Sequence, residues 1–313
     1  MSNMSDAVGL RIPYGKANTQ YQTEFELATR TVWGYFNPKG TACFNLGLLK
    51  DMRAHDAQLA ANNGRIEVEG ATHEVNYYIT GSRVPSVFNL GGDLALFVLL
   101  IKARDREALS HYAKLCIDII HPRSQNFFSP TLTKIALVQG DALGGGLECA
   151  LASDVIVAEE GAQLGFPEIL FNLFPGMGAY SLLARRIGMR AAEDLILSGR
   201  VLSAAQLHEM GVVDVLAKRG EGEATVCEWI AKNAKRRNGM QAAFRARRCV
   251  NPVTREELDA ITDVWVDAAF RLGDRDLKMM SRIVRAQVRR MEQGDITDIG
   301  AEALAEERAA AAR

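Results

Sequence analysis

Two glutamates stand twenty residues apart, each in a segment marked by glycine or proline. They lie in Gln139-Gly140-Asp141-Ala142-Leu143-Gly144-Gly145-Gly146-Leu147-Glu148 and in Gly165-Phe166-Pro167-Glu168-Ile169-Leu170. Together they offer both halves of enolate chemistry on a thioester: a backbone pocket at a helix start, and a pair of carboxylates able to move protons. Glycine lets the backbone approach a ligand with no Cβ in the way. The first amides of a helix point outward, unpaired, at the positive end of its dipole. Such amides suit a developing oxyanion. A tight strand-to-helix turn with no ligand explains the glycines equally well. A dinucleotide fold is disfavoured because the spacing is not GxGxxG, and a phosphate loop because Gly-Lys-Ser/Thr is missing.

A second turn of the same kind is Phe88-Asn89-Leu90-Gly91-Gly92-Asp93-Leu94. Two such turns can each aim one N–H at one carbonyl oxygen. For Glu148 the bland alternative is a solvated helix glutamate, yet Leu147, Cys149, Ala150 and Leu151 surround it with apolar residues. A buried carboxylate without a partner is costly, which favours a functional role. For Glu168 the alternative is a helix-start carboxylate after Pro167.

The elements that must position these residues follow from periodicity. Residues 21–28 alternate as a half-buried strand, and 31–36 continue as a second. Asn37-Pro38-Lys39-Gly40 is a turn. Residues 44–61 have helical spacing, 65–79 return to alternation, 86–90 form a short strand, and 93–120 are helical with a break near Asp105. Residues 131–139 and 155–158 are buried strands; 178–187 and 190–197 are helices. Ser203 caps a helix that Gly211 stops, and 212–216 are a strand. Strands alternating with helices argue for a parallel α/β core, and the all-helical C-terminal third for a cover over it. The expected organisation is a flexible lead over 1–20, an α/β core over 21–217, a helical cover and trimerisation region over 218–293, and a helical or disordered tail over 294–313.

With 313 residues, 48% hydrophobic content and a formal net charge of −1, the chain can bury a large core and has no global field for nucleic acid. No apolar run is long enough to span a membrane, and residues 1–16 lack an apolar signal core. The five cysteines have no CxxC or disulfide-scaffold spacing, so free thiols in a reducing cytosol are expected. The five histidines are scattered; neither a metal nor a cofactor is expected.

On the residues quoted, the chain resembles the enoyl-CoA hydratase/isomerase (crotonase) superfamily. The matching stretches are 88–94, 138–154, 163–178 and 202–213. The resemblance implies a repeated β-β-α superhelix with a helical C-terminal cover, and a trimer or dimer of trimers. It places the two oxyanion-hole amides on Leu90 and Gly145 and the two catalytic glutamates on Glu148 and Glu168. The finer resemblance, through 35–38, 86–94 and 170–180, is to the diffusible signal factor synthases. It implies a 3-hydroxyacyl group on acyl carrier protein, dehydrated to the cis-2-enoyl thioester and then hydrolysed to the free acid. By analogy with a hydratase run backwards, Glu168 takes the α-proton and Glu148 protonates the leaving hydroxyl. An enoyl-CoA hydratase of fatty-acid degradation, or a crotonase-fold protein that binds a sensor, are the rival expectations.

An acyl chain needs an apolar pocket. The expected wall is Leu143, Phe171, Phe174, Met177 and Trp265, with Gly91, Gly144 and Gly176 giving close backbone approach. Ordinary core packing is the alternative for each of the large residues. The basic stretch containing Arg245, Arg247 and Arg248 is a candidate surface for an acidic carrier or a pantetheine phosphate, or else a solvated helix face.

Overall fold

The computed structural model describes residues 9–293. Its first layer is a seven-stranded sheet. Strand β1 (Arg11–Tyr14) pairs antiparallel with β2 (Tyr21–Glu26), which pairs antiparallel with β3 (Thr31–Phe36). Helix α1 (Leu46–Ala61) and the hairpin β4 (Arg65–Val68) and β5 (Ala71–Glu74) lead to β6 (Tyr77–Ser82), parallel to β3. Strand β1 falls inside the expected flexible lead. Its Arg11 guanidinium lies 3.6 Å over the Trp33 ring and pairs with Glu223 at 2.8 Å, so it is packed from both ends of the chain.

From β6 onward the chain repeats a pattern. Strand β7 (Val87–Asn89) leaves the large sheet for a small one, and helices α2 (Leu94–Lys102) and α3 (Arg106–Ser124) follow. The break near Asp105 is real: Asp93 and Asp105 accept from the N–H groups of Leu96 and Ala108 and so cap the two helices. Strand β8 (Thr133–Val138) returns to the large sheet, β9 (Asp141–Leu143) joins the small one, and α4 (Gly145–Leu151) follows. Strands β10 (Val155–Glu159) and β11 (Gln163–Gly165) repeat the step, and a 3-10 turn over Pro167–Phe171 precedes α5 (Ala179–Ile187) and α6 (Met189–Ser198). Strand β12 (Val201–Ser203), α7 (Ala204–Glu209) and β13 (Val215–Ala217) close the core.

The large sheet runs β1-β2-β3-β6-β8-β10-β13, parallel from β3 on; the small sheet runs β12-β11-β9-β7. Alternate strands thus go to alternate sheets, the β-β-α repeat expected. Beyond β13 the described chain is helical: α8 (Gly222–Asn233), α9 (Arg237–Val250), α10 (Arg255–Ala269) and α11 (Asp274–Gln293). Helix α10 packs on α3, and α11 packs on α2 and on the 3-10 turn. The expected tail over 294–313 lies outside the described residues.

The core holds one fully paired charge cluster. Arg123, with no exposure, donates to both Asp56 oxygens at 2.6 and 2.9 Å and to Thr80 Oγ1 at 3.2 Å. His55 Nδ1 lies 3.2 Å from Asp56, and its Nε2 lies 2.9 Å from the Tyr14 hydroxyl, tying β1 to α1. Burial pushes the Asp56 carboxyl up, but Arg123 and His55 reverse this and hold it below its ordinary value.

Candidate active site

The two glycine turns meet back to back. Strand β7 pairs with β9, which brings 86–92 against 140–146. An ideal Cβ on Gly140 would overlap the Ser86 backbone, and one on Gly146 would overlap the Asn89 carbonyl. Gly91, at φ +91°, would carry a Cβ 2.8 Å from the Leu143 carbonyl and 3.0 Å from the Gly145 nitrogen. Gly144, at φ 50° and ψ −122°, takes a backbone conformation open to glycine, and a Cβ there would overlap Glu168 Oε1. These contacts seat the start of α4 directly beside Glu168.

The donors differ from expectation at one position. The Leu90 N–H donates to the Ala42 carbonyl at 2.8 Å and is therefore spent. Leu90 sits beside the chain entering α1, and that chain takes its N–H; Phe44 likewise donates to Gly91 O at 2.8 Å. Among the described residues, the N–H groups of Gly92 and Gly145 donate to no protein acceptor, and both residues line the same cavity. Gly92 and Gly145 are therefore the candidate donors, in place of the expected Leu90 and Gly145. Gly92 directly precedes Asp93, the cap of α2, and Gly145 is the first residue of α4.

Both glutamates line this cavity, whose free volume is about 80 Å³. Glu148 is 1% exposed, and its Oε1 accepts from the N–H groups of Met177 at 2.7 Å and Ala179 at 2.8 Å. Burial raises its carboxyl to about 7, against those two N–H groups, which lower it. Glu168 as a residue is half-buried, yet its Oε2 is sealed from solvent and has no partner. Burial and then the charge of Glu148 hold its carboxyl well above the usual range. Both carboxyls therefore hold a proton more readily than free ones, as two close carboxyls in an apolar pocket do.

Of the expected wall, Leu143, Gly144, Phe171, Gly176, Met177 and Trp265 line the cavity. Gly176 is needed for the approach of Trp265, whose indole would overlap a Cβ there. Trp265 meets Phe97 edge to face at 5.2 Å. Gly91 and Phe174 do not line it: Gly91 backs the α4 turn, and Phe174 packs against the core. Residues not foreseen include Phe97, Tyr112, Cys116, Ile283 and Gln287. Gln287 continues the apolar stripe Met280-Ile283 at helical spacing, the one sequence signal that marked it.

Arg247 and Arg248 are not at the cavity. Both pair with Asp154, at 3.2 and 2.6 Å, in a separate pocket at the far end of α4 that Ala152 and Ser153 also line. Seven helical residues put that end roughly 10 Å from the donor amides. Arg245 is exposed on α9. Arg247 and Arg248 tie α9 to the core through Asp154, while Arg245 and much of Arg247 face solvent, and carrier docking on this stretch stands as a proposal.

The enoyl-CoA hydratase/isomerase family matches residues 78–261, and the chain belongs to that family. Among curated relatives, it is 36% identical over 149 residues to the cyclohexa-1,5-dienecarbonyl-CoA hydratase of Thauera aromatica, covering 47% of this chain and 56% of that one. It is 35% identical over 166 residues to a probable enoyl-CoA hydratase of Mycobacterium leprae, covering 50% and 59%. The chain thus spans somewhat over half the length of these relatives. Among solved structures, an enoyl-CoA hydratase/isomerase from Xanthobacter autotrophicus Py2 superposes with TM-score 0.67 at 20% identity, over 88% of this chain and 96% of that one. The Pseudomonas aeruginosa protein DspI superposes with TM-score 0.59 at 24% identity, over 80% and 95%. The crotonase fold expected from the sequence is the fold observed. No helix of the described residues is long and apolar enough to cross a membrane.

Proposed function

We propose that the chain dehydrates a 3-hydroxyacyl thioester to the cis-2-enoyl thioester and then hydrolyses the thioester, releasing a cis-2-unsaturated fatty acid. The observation that carries the acid–base half is one cavity holding two buried carboxyls of raised pKa and two unspent backbone N–H groups. The thioester oxygen accepts from Gly92 and Gly145, and these donors stabilise the enolate as the α-proton leaves. One carboxylate takes that proton, and the other, as an acid, protonates the departing 3-hydroxyl.

Position sets the division of labour between the two carboxyls. Glu168 Oε1 abuts Gly144, beside the amide that would hold the carbonyl, and so lies closest to the α-carbon. Glu168 is therefore assigned the α-proton and Glu148 the departing hydroxyl. Exchange in D2O separates the two divisions. A Glu148→Gln enzyme should still exchange the α-proton while losing dehydration, whereas Glu168→Gln should lose exchange.

The hydrolytic half rests on resemblance to the diffusible signal factor synthases in 35–38, 86–94 and 170–180. The same amides serve the tetrahedral oxyanion of hydrolysis, with a carboxylate activating water. The competing reading, an enoyl-CoA hydratase, is favoured by the names of the curated relatives. Incubation with 3-hydroxyacyl groups on acyl carrier protein and on CoA, followed by mass spectrometry, decides. Free cis-2-enoic acid supports the synthase; trans-2-enoyl-CoA interconverting with its hydrate, with no free acid, supports the hydratase. A trimeric assembly and a bound sensor belong to the same reading, tested by sedimentation and by copurification.

A further inference from the structure

Four peptide units in a row form the turn that leads into α2, and each of them is anchored. The Leu90 N–H donates to Ala42 O at 2.8 Å, the Gly91 N–H to Asn89 Oδ1 at 2.8 Å, and the Asp93 N–H to the Tyr112 hydroxyl at 3.1 Å. The unit between Gly91 and Gly92 is held by its other end: Gly91 O accepts from the Phe44 N–H at 2.8 Å. No peptide bond among the described residues is cis, and in a trans unit the N–H points opposite to the C=O. The Gly92 N–H therefore points away from Phe44. Gly92 belongs to the cavity wall and Phe44 does not.

A peptide unit flanked by two glycines has no Cβ on either side to resist its turning over. The restraint has to come from neighbours, and two side chains supply it. Asn89 ends β7, is 1% exposed and does not line the cavity. Its amide is used at one end only: Oδ1 takes the Gly91 N–H, while Nδ2 is sealed from solvent with no partner. A sealed donor without a partner costs stability, so the residue is explained by what its oxygen does. That oxygen fixes the unit before Gly91, and with it the Gly91 φ of +91°. The Tyr112 hydroxyl, from α3, fixes the unit after Gly92. It also donates to Phe44 O at 2.6 Å, and so holds the residue that anchors Gly91 O. We propose that Asn89 and Tyr112 are positioning residues that lock the Gly91–Gly92 peptide with its N–H aimed at the thioester oxygen. The donor is then oriented before negative charge develops, which is what makes such a donor effective.

The inference rests on the thioester reading above, and the polarisation of a bound carbonyl tests it apart from turnover. The probe is a saturated acyl-pantetheine analogue with a methylene in place of the thioester sulfur and 13C at the carbonyl, which can be neither dehydrated nor hydrolysed. Its infrared carbonyl stretch should fall in frequency on binding to wild type, as the N–H groups draw on the oxygen. Asn89→Ala and Tyr112→Phe should each forfeit about half of that fall, the share of one donor in two. With substrate, kcat should drop more than KM, toward the roughly 100- to 1000-fold loss of a donor removed outright. Asn89→Ser, whose hydroxyl can accept the same N–H, should keep most of the fall. A purely structural role would lower the denaturation midpoint without moving the stretch of probe bound to folded molecules. A full fall in Asn89→Ala or in Tyr112→Phe, or equal losses in Asn89→Ser and Asn89→Ala, overturns the inference and leaves the thioester reading intact. Should Asn89→Ala not fold, Tyr112→Phe, which removes a single hydroxyl, decides. No fall in wild type overturns both.

Discussion

Two clusters of ionisable groups are buried in this molecule, and they are opposites. Around Asp56, every charge has a partner: Arg123 grips both oxygens, His55 and Thr80 close the ring, and the carboxyl is held below its ordinary value. Around Glu148 and Glu168, among the described residues, no cation pairs with either carboxyl, one oxygen has no partner, and both carboxyls are raised. Equal burial therefore produces opposite proton affinities. A buried charge kept for architecture is neutralised by its neighbours; one kept for proton transfer is left partly unanswered.

That contrast can be broken from either side. The largest expected effect is on the unanswered side. Glu148→Gln or Glu168→Gln should lower dehydration by roughly 100- to 10,000-fold, measured as product formed per unit time, while the denaturation midpoint stays level or rises. Retention of full activity would falsify the assignment. On the paired side, Asp56→Ala leaves Arg123 buried and alone. It should cost about 3–5 kcal/mol, seen as a lower denaturant midpoint, and a change under about 1 kcal/mol would refute the account of that cluster.

Acid sharpens the contrast because the two sides respond with opposite sign. The Glu148 carboxyl is raised from 4.5 to about 7 in the fold, so between those values the native state holds a proton that the unfolded chain has lost. Its contribution to stability is present below pH 4.5 and falls as pH rises to about 7, by at most about 3 kcal/mol. Asp56 is lowered, so its contribution is present at neutral pH and is lost as pH falls through its folded value. Unfolding curves at a series of pH values, with and without Glu148→Gln, should show the first slope vanish in the variant.

The smallest effect concerns Lys134, a fully buried lysine whose ammonium donates to Ala152 O at 3.1 Å and Ser153 Oγ at 2.8 Å at the end of α4. Burial lowers it from 10.5 to about 8. The fold disfavours its charged form, so stability should rise as pH climbs from about 8 toward 10.5. Lys134→Met should change stability at pH 7 by no more than roughly 1–2 kcal/mol, because two lost hydrogen bonds offset relief from a buried charge, and should flatten that alkaline slope.

The two glutamates and Gly145 were legible in the sequence because each signal is local: glycines at a helix start, a carboxylate among apolar neighbours, a proline before a turn. Helices α2 and α3 and their break were legible for the same reason, through Asp93 and Asp105. The second candidate donor was not. Leu90 and Gly92 differ only in which N–H the chain at Ala42 captures, and that contact joins residues 48 positions apart. Strand β1 was hidden because four residues held by Glu223 and Trp33 carry no periodicity of their own. Short strands such as β9, β11 and β12, three residues each, fall below what alternation can reveal.

At positions 140 and 146 two stretches of main chain cross with no room between them for even one methyl group. A library randomised at both positions, and selected only for soluble expression, should return glycine at each. Tolerance to substitution there would be limited by assembly of the molecule before catalysis was ever put to the test.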